Sequence, residues 1–412
     1  MHPYLANRIV FDHDGDVMHH SGYFDWAATT PLSDHAAAVY VETANTYIGN
    51  PSSLHREGQA AAHHLQGIRR KIADIVNAES KSITFTSGGT ESDAIILNSL
   101  LYNKAPGQII IPRFEHAAIS QYVRILTDFG WEVKQMQAPG GYVTPQQIAG
   151  ALTAKTRMVC CMSVNNVTGT IQDIKGIAAV IRDFSRTTGR HIHLHCDAVQ
   201  ALGKIPVDLK AMGVDSAAFS AHKFCGPRGV GFLYNTNPAV LALSRGGGQE
   251  KGLRPGTENL AGIAAMTAAL QDAVENMRLH QENAVAIKRY FEHRFATEVP
   301  GIACLSPSAG STTSPSTPFI LSISVPGLPS EVFTRMLFDQ GFCVSSGSAC
   351  SNNAKQKGEG VMQSMGIDAK LAGSAVRISY GYDTTLEDAE RLADAIAGTY
   401  VQHAPARFTK RK

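Results

Sequence analysis

Between residues 57 and 235 short apolar runs alternate with segments of helical period, and this alternation most constrains the fold. Leu65, Ile68, Ile72 and Ile75 recur at helical spacing and give one apolar stripe. Strands are then expected at 83–85, 108–111, 131–136, 158–164, 191–195 and 216–219, with a further one at 229–234. Helices at 92–101, 117–129, 145–152 and 174–188 separate them. Several of the strands are nearly unbroken apolar runs, as expected where helices cover both faces of a parallel sheet. The βαβα order predicts an α/β fold with a large, mainly parallel sheet flanked by helices. A long helical stretch from 260 to 297 leads to a smaller α/β lobe containing 319–325, 330–339, 375–380 and 386–401. The expected organisation is an extension of unknown role at 1–22, a large domain at 23–265 and a small C-terminal domain at 266–412. The Ser/Thr/Pro-rich stretch 306–318 reads as an exposed loop.

Composition narrows the partners. Of 412 residues, 44% are hydrophobic and 17% charged, which suits a sizeable buried core. The formal charge of +2 provides no field that would favour nucleic acid or an anionic membrane, and neither partner is expected. No apolar run approaches the roughly 20 residues of a membrane span. Residues 1–21 contain no signal-peptide apolar stretch, so a cytoplasmic location is expected. Seven cysteines, with no CxxC pair, speak against a disulfide scaffold and a structural zinc site, and no metal is expected. Cys160, Cys161, Cys196, Cys225, Cys304 and Cys343 sit in apolar surroundings and read as buried, inert thiols. Cys160 and Cys161 are adjacent on one strand and must point to opposite faces.

The polar clusters fall at strand ends. Thr86-Ser87-Gly88-Gly89-Thr90 lies between a strand and a helix, where Gly89 and Thr90 are either phosphate ligands or an ordinary turn with Thr90 as cap. His116 follows the next strand and is either structural or placed to stack on a flat ring and move protons. Asn166 follows another strand, as a turn residue or an amide donor. Asp197 and Gln200 end the next, and Ser220-Ala221-His222-Lys223 the one after. Ligands of open α/β sheets bind at that edge. An acid and a lysine on adjacent elements of one sheet are what pyridoxal 5′-phosphate chemistry requires. The amine condenses with the cofactor aldehyde, and the carboxylate keeps the pyridine nitrogen protonated so that the ring accepts electrons. Outside these clusters, Cys350 lies in the polar stretch Ser345 to Asn353, either as a nucleophilic thiol or as a spectator. Arg377 lies in an apolar strand, where its fork suits a carboxylate, the surface arginine being the alternative.

The chain resembles the cysteine desulfurases, the NifS/IscS-like branch of the class V aminotransferase family, which are fold-type I PLP-dependent transferases. The likeness runs from about Tyr23 to Thr385. It rests on Asp25 to Pro31, Gly49 to His55, Thr84 to Ser92, His195 to Lys204, Ser220 to Gly226, Gly246 to Glu250, Arg254 to Thr257, Ser346 to Cys350 and Val376 to Ser379. The resemblance implies that Lys223 bonds the cofactor, Asp197 faces its ring nitrogen and His116 stacks on the ring. Gln200 and Asn166 would reach its phenolic oxygen and nearby groups. Gly89, Thr90, Ser220 and His222 would hold the phosphate, with Thr257 reaching in from the second subunit of a homodimer. Arg377 would clamp the substrate carboxylate, with Asn166 nearby.

The implied reaction converts L-cysteine to L-alanine while Cys350 takes the sulfur as a persulfide for an acceptor protein, such as an iron–sulfur scaffold. The stretch 352–360 departs from the housekeeping iron–sulfur-assembly enzymes and leaves the acceptor open. Val167 stands where the NifS/IscS group usually has glutamate. A selenocysteine lyase, another PLP-dependent aminotransferase or eliminase, and a non-catalytic docking protein of the same fold are the alternatives.

Overall fold

Seven strands form the larger sheet: β1 (Ile83–Thr86), β2 (Gln108–Pro112), β3 (Glu132–Met136), β4 (Thr156–Cys160), β5 (His193–Asp197), β6 (Ser216–Ser220) and β7 (Gly231–Asn235). Their spatial order is β1-β7-β6-β5-β4-β2-β3. The computed structural model describes residues 20–299, 301–308, 315–347 and 361–403. β7 runs antiparallel to both neighbours, so the other six strands share one direction. The reversal follows from connection length: residues 221–230 are too few for a crossover helix, which a parallel return would need. Every residue of β1, β2, β5 and β6 is buried, as their apolar runs require. β3, one of the two edge strands, is mostly exposed, while β1 at the other edge is buried.

Cys160 and Cys161 do face opposite sides, the first in the cluster around Ile109 and Trp131, the second in that around Ile110 and Phe114. Burial pushes the thiols of Cys160, Cys161 and Cys196 well up, so they stay protonated. Cys304 departs from its expected burial: it lies exposed on a two-residue edge strand. Of the stretch expected as an exposed loop, Ser308 and Pro315 are exposed while Ser306 and Thr317 are buried, and 309–314 lie outside the described residues.

The smaller sheet has strands β8 (Ala303–Cys304), β9 (Ile320–Ser324), β10 (Ser345–Ser346) and β11 (Ala375–Ser379), all antiparallel, in the order β10-β11-β9-β8. The helices Met277–Glu298, Ser330–Phe338 and Leu386–His403 pack on it, around a core of Phe291, Phe295, Phe319, Phe333 and Tyr380. The helical stretch expected to run unbroken from 260 divides at Asn276, which ends the helix Leu260–Glu275. The helix 117–129 likewise divides at Gln121.

A short segment near the beginning of the chain joins the two sheets. Phe24 belongs to the smaller core, its N–H bonds to Cys343 and its carbonyl accepts from Ser379. A few residues on, the Thr30 N–H bonds to the carbonyl of His222 beyond β6. The helix Asp34–Thr46 follows, capped by Ser33 and packed on Leu260–Glu275. Its buried positions are Ala36, Ala37 and Thr43, so it has no stripe of large apolar residues to announce it. Among the described residues no helix is long and apolar enough to cross a membrane.

Candidate active site

The parallel strands place their polar ends around one cleft of about 570 Å³. Gly89, Thr90, His116, Asn166, Asp197, Gln200, Ser220, His222, Lys223 and Arg377 all line it. One described residue expected with them does not. Thr257 is exposed on the loop before Leu260–Glu275 and does not line the cleft of its own chain. Cys350 lies outside the described residues.

At the end of β1 the chain turns through Gly88, whose φ of 149° is a glycine conformation. A Cβ on Gly89 would stand 2.5 Å from Val199 Cγ2, so the close approach of helix and β5 loop excludes any side chain there. The helix Gly89–Leu101 starts without a side-chain cap, and Thr90 lies inside it, so the reading of Thr90 as a cap is excluded. Its first N–H groups lack intrahelical acceptors, and the positive end of its dipole lies at the cleft. Glu91 in the same turn accepts from Ser87 N–H and from Arg254 Nε at 3.1 Å. Burial alone would raise its carboxyl, but the Ser87 and Arg254 donors hold it below its ordinary value.

His116 caps the helix Ala117–Ser120, its Nδ1 accepting the Ala118 N–H at 3.2 Å. Burial lowers its pKa against the pull of Asp197, with Lys223 adding to the lowering. The imidazole is therefore neutral with its proton on Nε2. Asp197 ends β5, is 6% exposed, and accepts the Val199 N–H through Oδ1 at 3.0 Å.

Lys223 and His222 sit on the turn Ala221–Lys223 directly after β6. The Lys223 Nζ donates to the carbonyls of Ala27 and Ala28, each at 2.7 Å. His222 Nδ1 lies 3.1 Å from Thr29 Oγ1. Burial, helped by Lys223, Arg228 and Lys204, lowers the His222 pKa to about 4. The neutral ring carries one N–H, and with Nδ1 accepting from Thr29 that donor is Nε2–H. Arg377, 6% exposed, is no surface arginine: it donates to Asp25 Oδ1 at 2.7 Å, Asn166 O at 3.0 Å and Ser345 Oγ at 3.0 Å. Its buried Nε has no hydrogen-bond partner among the described residues.

A hydrogen-bonded row runs beneath the cleft. Burial lowers the pKa of both His193 and His195 to about 4, so each ring carries one proton. The Ala239 N–H binds Asn237 Oδ1, which leaves Asn237 Nδ2 to donate to His193 Nδ1 at 3.2 Å. His193 must then donate from Nε2 to Ser216 Oγ at 2.7 Å, and the Ser216 hydroxyl to His195 Nδ1 at 2.8 Å. His195 Nε2–H finally donates to Asp93 Oδ1 at 2.9 Å. Every proton in the row is fixed by one amide. Asp93 lines the cleft and is 1% exposed, and its Oδ2 has no hydrogen-bond partner among the described residues. Burial, then Asp197, raises its pKa well above the ordinary range. His191, His193 and Asp215 come close enough to share a cation, but the row occupies both ring nitrogens of His193. Asp93, Asp25, Ser345 and the Ala27 and Ala28 carbonyls were not singled out as site residues in the sequence. The motif Asp25 to Pro31 contains Asp25, Ala27 and Ala28, the polar stretch Ser345 to Asn353 contains Ser345, and Asp93 falls just past Thr84 to Ser92.

The family model for aminotransferase class-V matches residues 22–392. The chain belongs to this family. Among its class-V relatives is a NifS/IcsS protein homolog of Lactobacillus delbrueckii subsp. bulgaricus, 37% identical over 92% of this chain and 97% of the relative. The cysteine desulfurase IscS of Azotobacter vinelandii is 35% identical, covering 90% of each chain. The solved structure of a NifS-like protein superposes with a TM-score of 0.84 at 30% identity, covering 92% of this chain and 99% of the other. The large sheet with its antiparallel β7 is thus the class-V, fold-type I architecture.

Proposed function

We propose that this chain is a pyridoxal 5′-phosphate-dependent cysteine desulfurase. The observation that carries the reading is the convergence of Lys223, Asp197 and Arg377 on one cleft. The donor set fits the cofactor. The uncapped helix start, Ser220 and the Nε2–H of His222 suit a phosphate, and the glycine pair leaves room for it. Asp197 suits a protonated ring nitrogen, and the neutral His116 a ring face. Asn166 and Gln200 supply amides for the phenolic side. When bound, pyridoxal phosphate supplies an aldehyde for Lys223 and a ring that withdraws electrons from the substrate α-carbon.

The remaining work belongs to this chain. Arg377 orients the substrate carboxylate, offering its unpartnered Nε and the fixed plane of a guanidinium held by Asp25. The Lys223 amine carries the α-proton, and Ala27 and Ala28 hold that amine in place before the cofactor arrives. His116, its Nδ1 held by the Ala118 N–H, offers its Nε2–H as a donor at the substrate sulfur. The Cys350 thiolate takes the sulfur: one C–S bond breaks, one S–S bond forms, and the carbon gains the proton that completes L-alanine. The persulfide then passes to an acceptor protein. In a homodimer Thr257 of each subunit completes the phosphate site of its partner; Arg254, gripping Glu91 at the cleft, fixes the loop that carries it.

The deciding experiment loads the purified chain with cofactor, adds L-cysteine and maps added sulfur by peptide mass spectrometry. One sulfur on the Cys350 peptide is expected, with stoichiometric alanine, and Cys350→Ala is expected to lose sulfide release while keeping cofactor absorbance. Full cysteine activity in Cys350→Ala would reject the persulfide role and favour selenocysteine lyase or eliminase chemistry.

A further inference from the structure

Lys204 is 3% exposed, yet among the described residues no carboxylate pairs with its side chain. Among those residues its Nζ makes one hydrogen bond, to Gln200 Oε1 at 2.8 Å. Burial, and after it Lys223, brings its pKa down to about 7. A buried amine with a single neutral acceptor costs stability, and an apolar side chain of the same length would fill the volume without that cost. The backbone holds the amine in place: the Lys204 N–H bonds to Ala201 O at 3.0 Å, and its carbonyl accepts from Gln281 Nε2 at 2.7 Å.

What the amine accomplishes is visible one bond further on. Gln200 is 5% exposed, and its Nε2 donates to Ala27 O at 2.8 Å, the carbonyl that also receives Lys223 at 2.7 Å. The Lys204 amine donates to Oε1, and the Ala27 carbonyl, which can only accept, takes Nε2–H, so the two ends agree on one orientation of the amide. Oxygen faces Lys204 and nitrogen faces the cleft. One of the two Nε2 hydrogens is taken by Ala27, and the other remains for whatever occupies the cleft that Gln200 lines. Without Lys204 the amide loses the partner that keeps its oxygen pointing inward. It could then turn an acceptor toward the cleft.

We propose that Lys204 is a positioning residue that locks the Gln200 amide as a hydrogen-bond donor toward the anionic phenolic oxygen of the cofactor. This rests on the pyridoxal phosphate reading above. The ammonium also polarises the amide, strengthening the N–H it turns outward. Lys204 touches neither cofactor nor substrate. Its effect passes entirely through Gln200, and that is what the test isolates.

The test uses the full-length protein without substrate, comparing wild type, Lys204→Met, Gln200→Met and the double variant. Each is titrated with pyridoxal phosphate, and the pH midpoint of the visible cofactor–Lys223 chromophore is read. Loss of one donor to the phenolic oxygen strengthens proton binding at the neighbouring nitrogen, so the midpoint rises by about one unit in either single variant. Cofactor affinity falls about tenfold in each. The double variant matches the singles, with no second unit and no second tenfold, because both changes remove the same hydrogen bond. A midpoint unchanged in Lys204→Met, or fully additive shifts in the double variant, overturns the positioning role. If Lys204→Met does not fold, Lys204→Gln, which keeps an N–H donor at that end, is expected to stay within a few tenths of a unit of wild type. A full-unit rise in Lys204→Gln would overturn the role equally. A wild-type chain that takes up no pyridoxal phosphate would instead sink the cofactor reading, and this inference with it.

Discussion

Replacing Arg69 with Met tests the lock that holds the loop before Thr257. Arg69 reaches Glu250 through two parallel bonds of 2.7 Å, with side-chain exposures of 6% and 2%. Its NH1 also donates to Ile83 O at 2.8 Å, and Glu250 Oε2 accepts the Phe85 N–H at 2.9 Å. The guanidinium lies 4.5 Å over the Phe85 ring. Glu250 and Lys251 both have positive φ, at 48° and 58°, so the pair fastens a loop whose backbone is otherwise unfavourable. Arg69→Met leaves a buried carboxylate without its cation, a loss of about 3–5 kcal/mol. In Arg69→Met/Glu250→Gln no charge stays buried, and the new amide oxygen can still accept from the Phe85 N–H. That double variant is expected to regain all but about 1–2 kcal/mol. Urea denaturation followed by circular dichroism measures both. A loss under about 1 kcal/mol in Arg69→Met, the value of a surface pair, or a double variant weaker than the single, would refute the reasoning.

Two further outcomes follow from the site. Gly89→Ala forces a Cβ onto Val199 Cγ2; pyridoxal phosphate titration is expected to show affinity down at least about tenfold, partly restored by adding Val199→Ala, and unchanged uptake would contradict the close packing. His193 and His195 titrate in the folded chain at about 4 rather than at the ordinary 6.5. Unfolded rings take up protons first as pH falls, so the stability these rings contribute is full above 6.5 and is lost on the way down to about 4. Ring-proton NMR should show both imidazoles neutral at about pH 5.5, and a midpoint near 6.5 would contradict it.

The strand ends were readable because a parallel sheet writes its buried strands as apolar runs and leaves polar residues only where they stop. Lys223 and Asp197 stood out since their chemistry has few other uses side by side. The partners of Lys223 did not, because backbone carbonyls at Ala27 and Ala28 carry no residue signature. The Asp25–Arg377 contact spans 352 positions, beyond any local pattern. Asp93 reads in sequence as one more acid on a helix, and only packing against His195 reveals it as buried. Gln200 and Lys204 are four apart, yet spacing alone does not tell a solvated lysine from one sealed inside.

The segment that crosses from the smaller sheet to the turn after β6 also sets an order of assembly. Residues 27 and 28 supply the acceptors for the amine at 223, while residue 25 must find residue 377 near the far end of the chain. A nascent chain released only as far as β7 already contains every strand of the larger sheet, but its segment at 22–26 has no docking strand. The bonds of residues 27–33 to the turn after β6 form within the larger lobe, while the grip of residue 25 on residue 377 waits for β11.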